Sequence, residues 1–398
     1  MSRISYLKQK HTFEIRNLPA KTKIRTCGDC QKYLKREECP RCEYKDQKLN
    51  RASCLPTDTA CEQFEPRKKR EGRERRLSSA ETWELNLDAK VPEQLEPCGF
   101  TGDTLTESAW LPYQDKIGNV TLRPSIILTE KGNQPEILDF MTQDRVKGVF
   151  PSQDLKTLMT PQAAQMITEE TPIKPHDLDR QIDEAFSKHL DMSDSERIIC
   201  KRWIEGTFFY DVFDAYPIQN ILGVSESGKS RLCLLNLSLC YHAEPLIDPT
   251  EASIFRSKQE DKVSLIIDEA EYLNNPKLYA TIRILLNASY SKHIGYVTRY
   301  DEIDGKRIKR RFNLYSPMCI SGIAGLEGVT LSRAFRIVMK RVDKDYPKAN
   351  PDTYTDLRNK LYVLRIRHAF EVHEAYQKMN ISDIVTARFE ELFKPCLQ

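Results

Sequence analysis

Residues 223–230 read Gly-Val-Ser-Glu-Ser-Gly-Lys-Ser, which matches the pattern G-x-x-x-x-G-K-S/T. An apolar run that includes Phe213 and Ile218–Leu222 precedes this stretch, as expected for a buried strand that leads into a loop. The residues after it, from Arg231 to Tyr241, carry leucines at helical spacing. A strand, a glycine-containing loop and a helix in this order predict a site that binds phosphate groups.

Each part of the loop has a predicted role. The backbone amides and the helix amino terminus face a triphosphate, Lys229 neutralises its β and γ oxygens, and Ser230 ligates Mg²⁺. The predicted nucleotide-binding residues are Gly223, Val224, Ser225, Glu226, Ser227, Gly228, Lys229, Ser230, Arg231 and Asp268. The expected ligand is ATP with Mg²⁺.

A second apolar stretch, Val263 to Ile267, ends in the carboxylates Asp268 and Glu269. In a phosphate-loop fold we expect its strand to lie directly beside the strand that precedes the loop. Asp268 is then predicted to hold Mg²⁺, directly or through water, and Glu269 to polarise the attacking water. The additional acid Glu271 favours hydrolysis over phosphate transfer to a small acceptor.

Composition limits the class of protein. The chain has 398 residues, 40% of them hydrophobic and 30% charged, which predicts a soluble globular protein of two or three domains. A net charge of +3 is close to balance, so only local clusters can indicate a partner. The sequence has no apolar stretch of membrane-spanning length, and its start lacks a signal-peptide core. We therefore expect a cytoplasmic, reducing location.

Six of the twelve cysteines fall within residues 27–61 and predict a zinc module. Two C-x-x-C pairs supply four thiolates for a tetrahedral Zn²⁺ site, namely Cys27, Cys30, Cys39 and Cys42. Disulfides suit a reducing compartment poorly. The polar stretch is too short to fold on an apolar core, so metal binding would supply its folding free energy.

Other ligand sets remain open in this module. Its ending, Asp58 to Pro66, resembles a small zinc module of prokaryotic proteins in which a late Ala-Cys-x-x-Phe supplies the last ligand. That resemblance implies Cys61 as a ligand with Cys27, Cys30 and one of Cys39, Cys42 or Cys54, and two ions sharing six thiolates is a further alternative. The remaining, scattered cysteines are interpreted as small core residues: Cys98, Cys200, Cys233, Cys240, Cys319 and Cys396.

Local positive charge follows the zinc module. Residues 67–76 contain seven basic side chains in ten positions, which suits contact with the phosphate backbone of a nucleic acid. A solvated linker is an equally good interpretation of a charge run. Residues 301–311 predict a hairpin with a basic return arm, again either a nucleic-acid contact or a solvated surface hairpin.

Further elements complete the predicted core. Residues 177–210 and 353–393 have helical periodicity, and residues 315–323 form an apolar strand in which Ser321 is positioned to sense a γ-phosphate. Arg333, Arg336 and Arg341 follow, and one of them is expected to reach the nucleotide of a neighbouring subunit. We favour Arg333, at the start of the last apolar strand.

The predicted organisation has six parts: an extension at 1–26, the zinc module at 27–66, a basic linker at 67–80, a small β-rich domain at 81–174, the ATPase core with its preceding helices at 175–345, and a helical segment at 346–398. The expected fold class is α/β, with a P-loop NTPase core of AAA+/ASCE type.

From about residue 90 onward the chain resembles a family of AAA+-type P-loop ATPases of archaea, bacteria and mobile elements, often described as primase- or helicase-like. The matching stretches are 216–231, 267–271, 285–290, 317–323, 331–333 and 388–395. The resemblance implies an ASCE-type ATPase core, a homo-oligomeric ring and work on DNA. Two departures are the missing Asn or Thr at the end of the sensor strand and an end at Gln398, where relatives often continue.

Together these features predict an ATP hydrolase, possessing a helicase-like core, that binds DNA and remodels it or moves along it. Lys229, Glu269 and Arg333 are the predicted catalytic residues. One alternative is a nucleotide-dependent DNA-binding switch, a loader or regulator that acts through a protein partner without unwinding. A P-loop kinase for a small molecule is the other alternative, and the zinc module and basic hairpin argue against it.

Overall fold

The computed structural model describes residues 45–46, 51–52, 95–142, 145–247, 250–270, 280–303, 306–323, 326, 328–383 and 387–397. The chain divides into two compact units, residues 1–89 and 90–398. In the first unit, strands β1 (Lys45–Asp46) and β2 (Arg51–Ala52) pair antiparallel. The six cysteines of the predicted zinc module and the basic run at 67–76 lie outside the described residues, so both remain predictions.

The second unit contains the remaining strands and the helices. Its strands are β3 (Gly99–Phe100), β4 (Thr104–Gln114), β5 (Val120–Glu130), β6 (Glu136–Asp139), β7 (Ile218–Leu222), β8 (Ala243–Pro245), β9 (Ser264–Ile267), β10 (Tyr296–Ile303), β11 (Lys306–Asn313), β12 (Met318–Gly322) and β13 (Ala334–Val338). Its α-helices are α1 (Pro161–Thr168), α2 (Pro175–His189), α3 (Asp194–Thr207), α4 (Lys229–Leu239), α5 (Glu251–Arg256), α6 (Ala280–Ala288), α7 (Gly328–Leu331), α8 (Thr355–Lys378) and α9 (Ala387–Phe393).

Five parallel strands form the central sheet, in the order β13-β7-β12-β9-β8. Strands β7, β9 and β12 are buried along their whole length, as short apolar strands of a parallel sheet usually are. Ile221 and Ile266 pack on one face with leucines of α4, whereas Ile218 and Leu265 pack on the other with α5 and α6. This mixed α/β arrangement is compatible with a P-loop NTPase core.

The expectation that the strand before Asp268 lies directly beside the loop strand is wrong. Strand β12 lies between β7 and β9 and pairs with both of them. A fully buried strand must satisfy its backbone N–H and C=O groups on both sides, and the central position supplies two partners for Met318–Gly322. The spacing of motifs along the chain does not predict this order of strands in the sheet. Strand β12 follows β9 by about fifty residues, and consecutive strands are the ones expected to be neighbours.

An antiparallel sheet, β3-β4-β5-β6, precedes the central sheet in sequence. Strands β4 and β5 pair from Thr104↔Glu130 to Gln114↔Val120, so they form a long hairpin. Residues 104–109, in the part of β4 away from the hairpin tip, are buried, and β4 contacts α1 and α8. Residues 112–123 at the tip are exposed. The sheet belongs to the same compact unit as the central sheet, and the predicted boundaries at 81–174, 175–345 and 346–398 remain predictions.

Helix α8 carries a buried cation that joins three parts of this unit. The Arg365 guanidinium donates to Glu107 Oε2 at 2.8 Å, to both carboxylate oxygens of Asp211 at 2.7 Å, and to Phe208 O at 2.6 Å. Arg365 and Glu107 are fully buried. Breaking a buried charge pair leaves the other charge unpaired, so this network strongly favours one arrangement of β4, α8 and the turn after α3.

Helices α2 and α3 support the start of the loop strand. Ser193 caps α3 in a capping box with Glu196. Trp203 of α3 is fully buried, and its Nε1 donates to Pro217 O at 2.7 Å, directly before β7. The Tyr216 hydroxyl in turn donates a hydrogen bond to the backbone carbonyl of Trp203. Within the described parts of the chain, no helix combines the length and apolarity needed to cross a membrane.

Replacing the indole of Trp203 tests this support. We expect Trp203→Ala to lower the free energy of unfolding by about 3–5 kcal/mol, because the variant lacks a large buried side chain and its hydrogen bond. Equilibrium unfolding in urea measures the change. Ile198→Ala on the same helix is the control, since Ile198 is 53% exposed and should change stability by at most about 0.5 kcal/mol. Equal effects of the two substitutions would contradict the role of Trp203.

Candidate functional site

The turn after strand β7 requires glycine. Strand β7 ends at Leu222, and Gly223 begins the loop. A β carbon on Gly223 would lie 2.6 Å from Met339 O and still closer to Ser227 Oγ, so any side chain would push the loop off the sheet. Ser227 is buried, and its Oγ has no hydrogen-bond partner among the described residues. Buried polar atoms normally have a partner, so this hydroxyl fits a polar group bound at the loop.

Helix α4 begins directly after the loop. Gly228 is its N-cap and lies in the left-handed region with φ of 90°. The Lys229 ammonium donates to Gly223 O at 2.7 Å and to Val224 O at 2.9 Å, which holds the cation over the loop. Ser230 is exposed in the first turn. A helix amino terminus with a fixed ammonium and a hydroxyl is suited to binding a phosphate chain.

The acid pair follows strand β9. Asp268 Oδ1 accepts a hydrogen bond from the backbone N–H of Glu269 at 3.0 Å and another from the hydroxyl of Ser321. Glu269 is exposed and has a φ of 55°, which is uncommon for a residue other than glycine. Because β9 and β7 run parallel to β12, Asp268 and the loop leave the sheet at the same edge.

Strand β12 brings Ser321 to the acid pair. Its pairing aligns Ile320 with Ile267 and Ser321 with Ile221, so Ser321 stands between Asp268 and the loop strand. The hydroxyl expected to sense a γ-phosphate therefore contacts the carboxylate expected to hold the metal. The sequence indicated Ser321 only by its position on an apolar strand. Its contact with Asp268 depends on the position of β12 between β7 and β9.

Two thiols lie between helix α4 and this part of the sheet. A hydrogen bond with Cys319, together with burial, raises the pKa of the Cys233 thiol well above its usual value. Asn236 Nδ2 donates to Gln219 Oε1 at 2.5 Å and to Cys319 Sγ at 3.3 Å. Scattered single cysteines were interpreted as core residues, and both are buried, but here they also form part of a polar layer beneath the loop.

Two of the three arginines after β12 lie at opposite ends of strand β13, and Arg336 lies within the strand. Arg333 precedes its amino end, where its guanidinium donates to Asn287 O at 3.3 Å and lies over the ring of Tyr290. Arg341 follows its carboxyl end and pairs with Glu226 of the loop at 2.6 Å, with both side chains exposed. Of these two arginines, Arg341 is therefore the one beside the loop of its own chain.

A small pocket adjoins the loop. Arg231 in the first turn of α4 pairs with the exposed Asp345 at 2.6 Å along its wall. Three stretches that are distant in sequence form the lining of the pocket, which is why sequence patterns missed most of it. The lining residues are His189, Leu190, Asp191, Glu226, Ser227, Gly228, Arg231, Met339, Val342 and Tyr346.

The basic hairpin is longer than expected and forms a two-stranded sheet of its own, β10 with β11. One of its faces packs on helix α5. Phe312 contacts Phe255 with ring centroids 4.8 Å apart, and Arg299 pairs with Glu251 at 2.9 Å. The face that carries Phe312 and Arg299 is therefore the one that packs on α5.

The opposite side, here called the exposed hairpin face, carries aromatic residues on β10 and basic residues on β11. Its exposed side chains, among the described ones, are Tyr296, Thr298, Tyr300, Arg307, Lys309 and Arg311. The guanidinium of Arg311 lies 3.8 Å from the ring centroid of Tyr296, and that of Arg307 lies 5.5 Å from the ring centroid of Tyr300. Stacked cations and rings of this kind suit a phosphate backbone and unpaired bases.

Comparison with known proteins gives low similarity. No family model matches the chain, and no curated protein matches it. Among solved structures, SCCmec type IV Cch, an active helicase, has a TM-score of 0.32 and 11% identity, covering 77% of this chain and 72% of that chain. A JCV helicase bound to a small-molecule acetamide has a TM-score of 0.21 and 13% identity, covering 59% and 71%. At this similarity, function must be argued from the site itself.

The glycine requirement at the loop can be tested directly. Gly223→Ala should weaken binding of a fluorescent ATP analogue at least about tenfold, because the new methyl group collides with Met339 O and Ser227. Gly132→Ala is a matched control, since Gly132 also has a positive φ but nothing within 4 Å of its β carbon. If the Gly223 variant bound the analogue as well as the control did, the loop would not be the binding site.

Proposed function

We propose that the protein is a Mg-ATP hydrolase with its site at the edge of the sheet where β7, β9 and β12 end. The observation that carries this proposal is that the Lys229 ammonium and the buried, unpartnered Ser227 hydroxyl both lie at the loop that leads into helix α4. Helix amino termini with loop amides bind phosphate groups. Asp268, at the same edge, supplies the carboxylate that a phosphate-bound Mg²⁺ needs.

Each residue has a distinct role in this proposal. Lys229 would hold the β- and γ-phosphates, and Ser230 and Asp268 would hold the Mg²⁺, which offsets phosphate charge when bound. Glu269 orients the attacking water and accepts its proton. A left-handed backbone at a non-glycine residue costs on the order of 1–3 kcal/mol and tends to occur at functional sites, which supports this role for Glu269.

The arginine expected to act in trans remains Arg333. It lies at the amino end of β13, whereas the loop lies near the carboxyl ends of the strands, so it faces away from the nucleotide site of its own chain. An arginine finger in this position would have to act on the nucleotide of a neighbouring subunit. The proposal therefore includes a homo-oligomeric ring in which Arg333 approaches the next subunit's γ-phosphate.

Nucleic acid, specifically DNA, is the proposed partner. The exposed hairpin face offers Arg307, Lys309 and Arg311 to phosphates and Tyr296 and Tyr300 to bases. We keep the basic run at 67–76 and a Zn²⁺-bound module at 27–66 as proposals for additional contacts in the first unit. The activity that best combines these parts is ATP-driven remodelling of, or movement along, DNA.

Steady-state ATP hydrolysis tests the catalytic proposal. Glu269→Gln should reduce kcat by at least about a hundredfold, because it removes the proton acceptor while leaving the loop intact. The variant should still bind a fluorescent ATP analogue, whereas Lys229→Ala should lose both binding and turnover. Full activity of Glu269→Gln would contradict the assignment. Turnover that no DNA stimulates would favour the alternative of a switch driven by a protein partner.

Charge reversal on the hairpin tests the DNA proposal. Lys309→Glu together with Arg307→Glu should weaken binding to single-stranded DNA and reduce the slope of log K against log salt by about one unit for each phosphate that the variant no longer neutralises. Fluorescence anisotropy at several salt concentrations measures both quantities. Lys174→Glu together with Lys188→Glu, at exposed positions near the two ends of α2, is the control, because it changes the net charge by the same amount. Equal weakening by the control and hairpin variants would contradict a specific interaction.

A further inference from the structure

A buried cluster of potential metal ligands lies away from the loop, in the second unit. Cys98 precedes β3, Glu107 lies on β4, and His242 lies between α4 and β8. All three are buried, and their ligand atoms lie within 4.8 Å of one another. Thiol, carboxylate and imidazole are the three side-chain types that bind zinc in proteins.

The imidazole of His242 is held as metal ligands usually are. Its Nδ1 lies 2.8 Å from the backbone carbonyl of Asp261, and a carbonyl can only accept, so Nδ1 carries a proton and donates. Nε2 lies 3.4 Å from Glu107 Oε1 but makes no hydrogen bond with any described residue. In its neutral form this imidazole presents the Nε2 lone pair to the cluster, and a ring whose other nitrogen bonds a carbonyl is the usual arrangement of a metal-ligating histidine.

Distances among the ligand atoms suit one shared ion. Cys98 Sγ lies 3.7 Å from Glu107 Oε1, and His242 Nε2 lies 3.4 Å from the same oxygen. Zinc bonds of about 2.3 Å to sulfur and about 2.0–2.1 Å to nitrogen or oxygen, at tetrahedral angles, separate such ligands by about 3.3–3.6 Å. The two distances to Glu107 Oε1 therefore lie close to those of a zinc site, and Cys98 Sγ and His242 Nε2 lie within 4.8 Å of each other.

The surroundings also suit a metal site. Glu107 Oε2 accepts from Arg365, and the Tyr241 hydroxyl lies 3.1 Å from Oε2, so the second carboxylate oxygen has the outer-shell partners that ligating carboxylates have. With His242 neutral, Glu107 and Asp211 together face only one guanidinium, which leaves one net negative charge. A divalent cation bound with the Cys98 thiolate would make the cluster neutral.

We propose that Cys98, Glu107 and His242 form a Zn²⁺ site that ties the antiparallel sheet to the segment after helix α4. Burial raises the pKa of the free Cys98 thiol, so binding would release its proton to solvent as the sulfur–zinc bond forms. The Ser108 hydroxyl lies 3.1 Å from Cys98 Sγ and accepts the hydrogen bond of the thiol. This site is independent of the proposed ATP site and of the cysteines at 27–61.

Zinc content of the full chain tests the proposal. The first variant changes all six cysteines of the other unit to serine, at positions 27, 30, 39, 42, 54 and 61. After dialysis against metal-free buffer, elemental analysis should find about one zinc ion per chain. Adding Cys98→Ser or His242→Gln should remove that ion, whereas adding Cys200→Ser should not, because Cys200 is equally buried but outside the cluster.

A six-serine chain that is folded by circular dichroism yet holds no zinc would overturn the proposal, and would leave His242 as a cation paired with Glu107. If that variant fails to fold, the natural sequence and its Cys98→Ser variant decide the question. A difference of about one zinc ion per chain supports the site, and equal zinc contents overturn it.

Discussion

The parallel direction of the central strands is the constraint on which the candidate site depends. Because β7, β9 and β12 all run the same way, their carboxyl ends meet at one edge of the sheet. Lys229, Asp268 and Ser321 follow or end these strands, so residues that are distant in sequence lie at that edge. An antiparallel neighbour would place one of these groups at the opposite edge, where it could not share a ligand with the others.

Burial explains why β12, like β7 and β9, is an interior strand of that sheet. Met318–Gly322 is buried at every position, and its peptide groups need partners on both sides. Strand β12 also follows the hairpin closely in sequence, since β11 ends at Asn313 and β12 begins at Met318. The exposed hairpin face and Ser321 therefore belong to one short stretch of chain.

A second centre of the molecule is polar and buried. Arg365 holds Glu107 and Asp211, and Glu107 in turn faces Cys98 and His242. Charges in a low-dielectric interior are tolerated only when they are closely paired. These side chains come from β4, α8 and the segments after α3 and α4, so the antiparallel sheet cannot shift relative to the core without separating charges.

The fold class and the centre of the candidate site were predictable because their signals are local. Glycine spacing between Gly223 and Gly228 reflects backbone requirements within one loop, and the apolar run before Asp268 reflects one buried strand. The run of basic residues after a turn indicated the hairpin in the same way. Element boundaries shifted by a few residues, since strand ends depend on which neighbours continue the pairing.

Thus the sequence by itself determined the loop, the acid pair, the helices that flank them and the basic hairpin, because each depends on periodicity or spacing within a short window. Only the tertiary structure decided that β12 separates the two site strands, that Ser321 contacts Asp268, and that Arg341 rather than Arg333 lies beside the loop. It also decided that Cys98, a single cysteine by spacing, meets Glu107 and His242. These contacts join residues that are far apart in the chain, and no local pattern encodes which distant segments will share a buried surface.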